Sequence, residues 1–244
     1  LYDRRVSTAI GYLGYRVRAR PNLTLMTNTR VKTLLMRGTV CEGVEAVGPD
    51  GAERSHFGTE VILTSGALHS PALLLRAGIG PAAELRALGI DVVADRPGVG
   101  RRLMAHPSVA IASFIKPHAR INGRTRRHLM LGLRFSSGHP DAPQGDMAAS
   151  IASKSAWHDV GSQIATVNIW VNKTFSESGS VRLRDADWRS EPEVDFNLFS
   201  DRRDLERMTA AYRRLAAIVL SEDMQGAVSD VFPASFSDKV RQVA

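Results

Sequence analysis

The sequence predicts a mixed α/β fold, and three features of its 244 residues support that prediction. Short apolar runs rich in β-branched residues alternate with segments of good helix formers. Turn residues such as Pro49-Asp50-Gly51 separate closely spaced strands, which indicates an antiparallel meander. After Ser200, apolar side chains recur at three- and four-residue steps, as in an amphipathic helix. The hydrophobic content of 43% supports one large domain or two modest ones, each with a core.

The first sixty residues predict the end of a helix followed by the meander. The helix end covers residues 6–15, and a turn at residues 20–22 follows it. The strands of the meander are expected at residues 23–26, 31–36, 40–47 and 53–57.

Residues 61–67, Val-Ile-Leu-Thr-Ser-Gly-Ala, are the most informative segment of the chain. The apolar run at 61–63 is typical of a buried strand. Ser65, Gly66 and Ala67 follow it with little side-chain bulk, which lets a ligand approach the backbone closely. Free N–H groups at the start of the next helix favour an anionic ligand such as a pyrophosphate.

The helix after this segment has clear sequence signals. Ser70 is expected to cap it, with Pro71 at the first helical position. Gly78 is expected to end it. A second helix is predicted between Pro81 and Gly89, and residues 90–93 predict another strand.

The second half of the chain predicts further strands and a long helix. We expect strands at residues 108–115, 164–172, 181–183 and 194–196, and loops over 116–143 with a short helix near 128–133. The helix after Ser200 is expected to pack against the core through one apolar face, formed by Leu205, Met208, Tyr212, Leu215 and Val219.

Composition argues against several classes of protein. The formal charge is +7, but the arginines are spread along the chain. The densest basic group, Arg124, Arg126, Arg127 and His128, has no interleaved aromatic residues, so we predict a solvated loop or a contact with an absent part of the protein, and no nucleic-acid partner. The single cysteine, Cys41, rules out a disulfide framework and a cysteine-based zinc site.

No apolar run approaches the ~20 residues needed to span a bilayer, and no signal peptide is visible. A cytoplasmic location is therefore expected, although a chain that begins with Leu1 suggests a missing N-terminus. Generic site motifs are also absent. Gly98-Val99-Gly100 does not continue as a dinucleotide fingerprint, and no histidine pair has metal-ligand spacing, so no metal is predicted.

Several motifs in one order resemble the glucose–methanol–choline (GMC) family of flavin oxidoreductases. Residues 66–80, GALHSPALLLRAGIG, are similar to that family's second signature, with Ala77 where a serine is usual. The other matching segments are RPNLTL at 20–25, CEGVE at 41–45, PGVG at 97–100, His106-Pro107, SGSVRLR at 178–184, and residues 197–205.

The resemblance implies part of an FAD-binding Rossmann-like domain at residues 1–106. It implies a substrate-binding domain at residues 107–244, with an antiparallel sheet and flanking helices. The family's N-terminal G-x-G-x-x-G and its C-terminal segment with the catalytic histidine are not found in the sequence. We therefore expect this chain to be the middle of a larger enzyme, with the catalytic base in a missing part.

The resemblance also places cofactor contacts. Val31 lies where the family holds the FAD adenine through a backbone N–H and C=O. Ser65, Gly66 and Ala67 would line the flavin cleft through their backbone, in agreement with their small size.

Residues in the second half are open to two interpretations each. The resemblance places His106 and Pro107 near the isoalloxazine, although His106 could be only a packed loop histidine. In the strand at 164–172, Asn168, Trp170 and Asn172 share one face. That stripe could face a cavity for an aromatic alcohol, or it could be a half-buried sheet face with Trp170 in a core.

The activity that the resemblance implies is oxidation of an alcohol to an aldehyde or ketone. A base removes the hydroxyl proton while the carbon-bound hydride passes to the flavin. Two alternatives stay open: a hydroxynitrile-lyase-type enzyme that keeps FAD without net redox chemistry, and a truncated product that is inactive.

Overall fold

The computed structural model of the protein describes residues 6–121, 128–156 and 158–233. In these residues the α-helices are α1 (Thr8–Tyr12), α2 (Tyr15–Arg18), α3 (Gly66–Arg76), α4 (Ala82–Ala87), α5 (Arg202–Val219) and α6 (Glu222–Ala227). The strands are β1 (Arg30–Arg37), β2 (Val40–Val47), β3 (Glu53–Phe57), β4 (Ile79–Gly80), β5 (Ala94–Asp95), β6 (Arg101–Leu103), β7 (Ser108–Ile115), β8 (Leu129–Phe135), β9 (Met147–Ala152), β10 (Ile164–Val171), β11 (Gly179–Arg182), β12 (Glu193–Asp195) and β13 (Val228–Pro233). No helix of the described residues is long and apolar enough to cross a membrane.

The chain divides into two compact units. The first consists of residues 1–103 together with 180–195, and the second of residues 104–179 together with those from 196 onward. Residues 180–195 belong to the first unit because β11 lies between β12 and β6 in a three-stranded sheet. Gly100 lies at this junction: its carbonyl accepts a hydrogen bond of 2.8 Å from the Val181 N–H.

The first unit contains the predicted antiparallel meander. Its strands follow one another in the order β1-β2-β3, and β2 and β3 have the predicted bounds. Helix α3 packs against this sheet, with Leu73 and Ala77 in the same buried cluster as Leu34 of β1. Gly43 lies where β3 comes very close, since a Cβ at that position would be 2.2 Å from the His56 carbonyl oxygen. Only glycine fits there.

Three predictions for the first unit were wrong. Residues 23–26 form no strand, and residues 90–93 form none either, since the two-residue strand β5 begins only at Ala94. Residues 61–63 form no strand either, because no described strand pairs with them. Val61 and Leu63 still pack against the core, while Ile62 is 76% exposed.

Helix α3 begins earlier than the sequence predicts. Its N-cap is Ser65, so Pro71 lies inside the helix and not at its first position. Proline there removes one i→i−4 hydrogen bond. The helix continues because burial of Ala72, Leu73 and Leu75 favours it over the local preference. Gly78, with φ of +80°, follows the last turn as predicted.

The second unit is a five-stranded antiparallel sheet covered on one face by a helix. The strand order is β13-β7-β10-β9-β8, so β10 is central. Val167, Ile169 and Val171 of β10 are buried with the apolar side of α5. This confirms the predicted strand at 164–172 and the predicted long helix.

Three strands of this sheet, β8, β9 and β13, were not predicted from the sequence. The helix predicted near 128–133 is strand β8, while β9 and β13 were not predicted at all. Strand β9 reads Met-Ala-Ala-Ser-Ile-Ala, and it is buried on both faces, so it shows neither alternation nor β-branched enrichment. The basic residues Arg124, Arg126 and Arg127 lie outside the described residues.

Candidate functional site

A cavity of about 440 Å³ lies in the first unit. Three separate stretches of the chain line it: Thr29, Arg30 and Val31; Ser65, His69, Leu73 and Arg76; Trp188 and Glu191. Val31 and Ser65, which the sequence assigned to one ligand, therefore line the same cavity. Gly66 and Ala67 are exposed at the first two positions of α3, directly after Ser65.

The cavity carries an excess of positive charge. Arg30 and His69 both face the carboxylate of Glu191, with N···O separations of 3.6 and 3.7 Å. Arg76 has no carboxylate at ion-pair distance among the described residues. Burial, and next the positive charge of Arg30, lower the pKa of Arg76 below its usual value. An anionic group in the cavity would offset this repulsion.

The start of α3 adds uncompensated N–H groups. The Ser65 side chain makes no capping hydrogen bond, and Gly66 has a φ of +83°, which favours glycine. The first N–H groups of a helix have no partner within it. The eleven-residue helix therefore presents its positive end beside Ser65, a residue of the cavity lining, five residues before the start that the sequence predicted.

Sequence reasoning gave a site role to only two of the nine lining residues, Val31 and Ser65, and missed the other seven. His69 and Arg76 lie four and three residues from Leu73, so helical spacing alone would have placed all three on one face. Trp188 and Glu191 carried no comparable signal, because more than a hundred residues separate them from α3.

His106 and Pro107 belong to the second unit and are held against the end of β10. His106 Nδ1 lies 2.8 Å from the Val171 carbonyl oxygen, and the Pro107 carbonyl accepts a 3.3 Å hydrogen bond from the Val171 N–H. Pro107 is fully buried, whereas His106 is exposed. These contacts are those of a packed loop, and a flavin contact at His106 stays a prediction.

Asn168 and Trp170 lie on the face of β10 opposite the α5 core. Both are half-buried, and neither belongs to the buried cluster around α5. The Trp170 indole Nε1–H donates to Asn172 Oδ1 at 2.9 Å, and Asn172 Nδ2 donates to the Gly145 carbonyl at 3.1 Å. The indole therefore has a defined orientation on that face.

Small side chains flank this stripe on both sides. Asn168 is opposite Ala110 on β7 and Ser150 on β9. Trp170 is opposite Ser108 and Ala148 on the same two strands. Because directly opposite residues in antiparallel strands point to the same face, the large polar and aromatic groups stand above a floor of small ones.

A buried ionic network supports the end of β10. Arg207 of α5 donates to Asp146 Oδ2 at 2.8 Å and to the Lys173 carbonyl at 3.0 Å, and it also pairs with Asp204. All three charged residues are at most 2% exposed. The sequence pattern placed Leu205 in the core of this helix, but Leu205 is 50% exposed.

The two carboxylates of this network stay ionised. Burial opposes the charged form of Asp146, but hydrogen bonds from Arg207 and Ser137 outweigh it and lower its pKa. For Asp204, burial is outweighed by the backbone N–H groups of Phe175 and Ser176, so that its pKa is also lowered. The Asp146 carbonyl accepts from the Asn172 N–H at 2.8 Å, which links the network to the stripe that carries Trp170.

Two sequence models of one family match most of the chain. Residues 2–108 match the N-terminal GMC oxidoreductase model, and residues 175–242 match the C-terminal one. The chain belongs to the GMC oxidoreductase family, as its motifs indicated. Its mixed α/β architecture with antiparallel sheets is also found in flavoenzymes of this kind.

Individual relatives agree with this placement. A 5-(hydroxymethyl)furfural oxidase from Methylovorus sp. (strain MP688) is 47% identical over 216 residues, which are 86% of this chain and 39% of that protein. An oxygen-dependent choline dehydrogenase from Burkholderia thailandensis is 46% identical over 103 residues, 42% of this chain and 18% of that protein. The chain therefore spans well under half the length of these curated relatives.

A solved structure confirms the fold over nearly the whole chain. Pyridoxine 4-oxidase from Mesorbium loti superimposes with a TM-score of 0.77 at 24% identity, covering 99% of this chain and 48% of that one. At this identity the likeness shows the fold alone.

Proposed function

We propose that this chain is part of an enzyme that oxidises an alcohol to an aldehyde or ketone with FAD as the hydride acceptor. The observation that carries the proposal is the positively charged cavity of the first unit, which brings Val31 and Ser65 together in a chain of the GMC family. When bound, FAD supplies the redox chemistry, while the protein binds and orients the substrate and excludes water from the site.

The residues fit the adenosine and diphosphate part of this cofactor. We assign the adenine to the backbone of Val31 and the diphosphate side to Ser65, Gly66 and Ala67, where α3 presents its free N–H groups. We also assign residues 1–106 to the FAD-binding domain and residues 107–244 to the substrate-binding domain, with 180–195 contributing to the former.

In the substrate-binding part, we assign the alcohol to the face of β10 that carries Asn168 and Trp170. The amide can hydrogen-bond a hydroxyl or ether oxygen, and the indole offers an apolar face to an aromatic ring. The small residues beside them leave room over the sheet. We therefore propose an aromatic or furan alcohol as substrate, which agrees with the name of the furfural oxidase relative.

We assign His106 and Pro107 to the isoalloxazine end of the cofactor through their loop. Because His106 Nδ1 faces a backbone carbonyl, only its Nε2 is available to a ligand. The general base is assigned to no residue of this chain.

The test uses the protein expressed from its complete gene and purified with its flavin. Under nitrogen, 5-(hydroxymethyl)furfural or benzyl alcohol is expected to bleach the visible absorbance of the oxidised flavin. Trp170→Ala should raise KM for these aromatic alcohols, with Trp170→Phe as the matched control that keeps a ring. A flavin that stays oxidised with every alcohol tried would refute the proposal, and it is the result expected of a lyase.

A further inference from the structure

The loop between β11 and β12 forms one wall of the cavity, although it lies more than a hundred residues after the other walls. We define the Trp188 loop as residues 185–191. Its shape is fixed internally: the Asp187 N–H donates to Asp185 Oδ1 at 2.9 Å, and the Arg189 N–H donates to Asp187 Oδ1 at 3.0 Å. Such aspartate turns preset the loop before any ligand arrives.

The loop is also fastened to the opposite wall. Arg76 of α3 donates from Nη2 to the Ser190 carbonyl at 2.6 Å. The guanidinium carbon of Arg30 in β1 lies 5.3 Å from the centre of the Trp188 ring. Nη2 of the same arginine lies 3.6 Å from Glu191 Oε1. An indole and two guanidinium groups are thereby held around one space.

This wall has a free hydrogen-bond donor and positive charge that could bind an anionic, aromatic ligand. Arg76 Nε is buried and has no hydrogen-bond partner among the described residues. Arg30 and Arg76 repel each other across the cavity, and this repulsion lowers the pKa of Arg76 in addition to the effect of burial. The cavity volume of about 440 Å³ lies within the usual range for sites that hold small molecules and cofactors.

We propose that the Trp188 loop is a wall of an adenine-nucleotide site, in which Trp188 contacts the adenosine and Arg30 and Arg76 attract the diphosphate. The inference rests on the proposed function, since FAD contains an ADP moiety. It goes further by assigning residues that no sequence motif marks, and by predicting that this chain recognises ADP itself, without a flavin ring.

The test titrates this chain with ADP, FAD and FMN, and follows binding by calorimetry and by tryptophan emission. ADP and FAD are expected to bind and to change the emission, whereas FMN, which lacks adenosine, is expected not to bind. Trp188→Ala should weaken ADP binding by about two- to tenfold, the usual range for an aromatic contact. Trp188→Phe should retain most of the affinity while the emission change is lost.

Two further variants separate the roles. Arg76→Met should weaken ADP more than adenosine, because the charge acts on the phosphates. Arg184→Ala is the matched control: this exposed arginine precedes the Trp188 loop and pairs with Glu193 at 3.7 Å, but it does not line the cavity. Its ADP affinity should equal that of the wild type. Far-UV circular dichroism of each variant checks that the fold is kept.

The proposal is overturned if folded Trp188→Ala binds ADP as tightly as the wild type, if FMN binds as well as ADP, or if the wild type binds neither ADP nor FAD. Failure of this inference can be distinguished from failure of the proposed function. Bleaching of the bound flavin by an alcohol supports the oxidase even where the Trp188 loop has no role. Conversely, ADP binding that depends on Trp188 supports the role of the Trp188 loop even if no alcohol reduces the flavin.

Discussion

Arg207 is a buried cation shared by two buried carboxylates, and its replacement gives a sharp prediction for stability. Arg207→Met keeps much of the side-chain length but leaves Asp146 and Asp204 without their cation. Removing one partner of a buried ion pair costs about 3–5 kcal/mol. Here both carboxylates keep backbone donors, from Ser137 to Asp146 and from Phe175 and Ser176 to Asp204. We therefore expect the lower end of the range, about 3 kcal/mol of the free energy of unfolding.

The measurement is urea unfolding of this chain followed by far-UV circular dichroism. With a dependence of about 1–3 kcal/mol per molar urea, the midpoint of the second unit should fall by about 1–3 M. Arg203→Met on the same helix is the matched control, because the Arg203 side chain is 40% exposed and its pairs with Asp201 and Asp141 are therefore screened by water far more than the buried network. If the two variants unfold at the same urea concentration, the network does not stabilise the unit and the reasoning fails.

Three further predictions concern the same chain. Folding lowers the pKa values of both buried carboxylates, so the stability they contribute is full above the unfolded pKa of about 4 and is lost as the pH falls through the folded pKa values. Urea midpoints should therefore be level from about pH 7 to 5 and fall below about pH 4. Asp204→Asn should reduce that acid dependence. Gly100→Ala should destabilise the first unit more than Gly51→Ala in thermal melts, since φ is positive at both but only at Gly100 would a Cβ meet a carbonyl oxygen, at 2.2 Å; equal melting temperatures would contradict this. Asn172→Ala should shift the emission of Trp170 by freeing its indole N–H, whereas Asn172→Asp, which keeps the acceptor, should not.

The parts of the fold that the sequence predicted are those with a strong local pattern. Strands β2, β3 and β7 have the predicted bounds because turn residues delimit them and their alternation is visible. Strand β9 could not be found this way. Its alanines favour a helix locally, and it is a strand only because β10 and β8 pair with it on either side. Residues 61–63 show the converse case, in which an apolar run forms no strand since no described strand pairs with it.

Helix α5 shows the same contrast between features set by a local sequence pattern and features set by tertiary contacts. The three- and four-residue spacing located the helix and most of its apolar face, including Met208 and Leu215. It placed Leu205 in the core and did not predict the burial of Asp204 or Arg207, because periodicity treats every charged residue as solvated. Their burial depends on carboxylate and backbone partners contributed by other elements, and no helical pattern can contain that information.

For the candidate site, this distinction decides which residues are worth testing first. Val31 and Ser65 were available from motifs, and the structure adds that they line one cavity. The cavity also depends on Arg76 for its charge and on Trp188 for its aromatic wall. Helical spacing could have pointed to Arg76, but Trp188 reaches the cavity only because residues 180–195 return to the first unit. A motif match therefore identifies the cofactor that relatives share, whereas affinity for its adenosine end depends on side chains such as these. Binding of ADP by the Trp188 and Arg76 variants measures that dependence directly, in the chain as it stands.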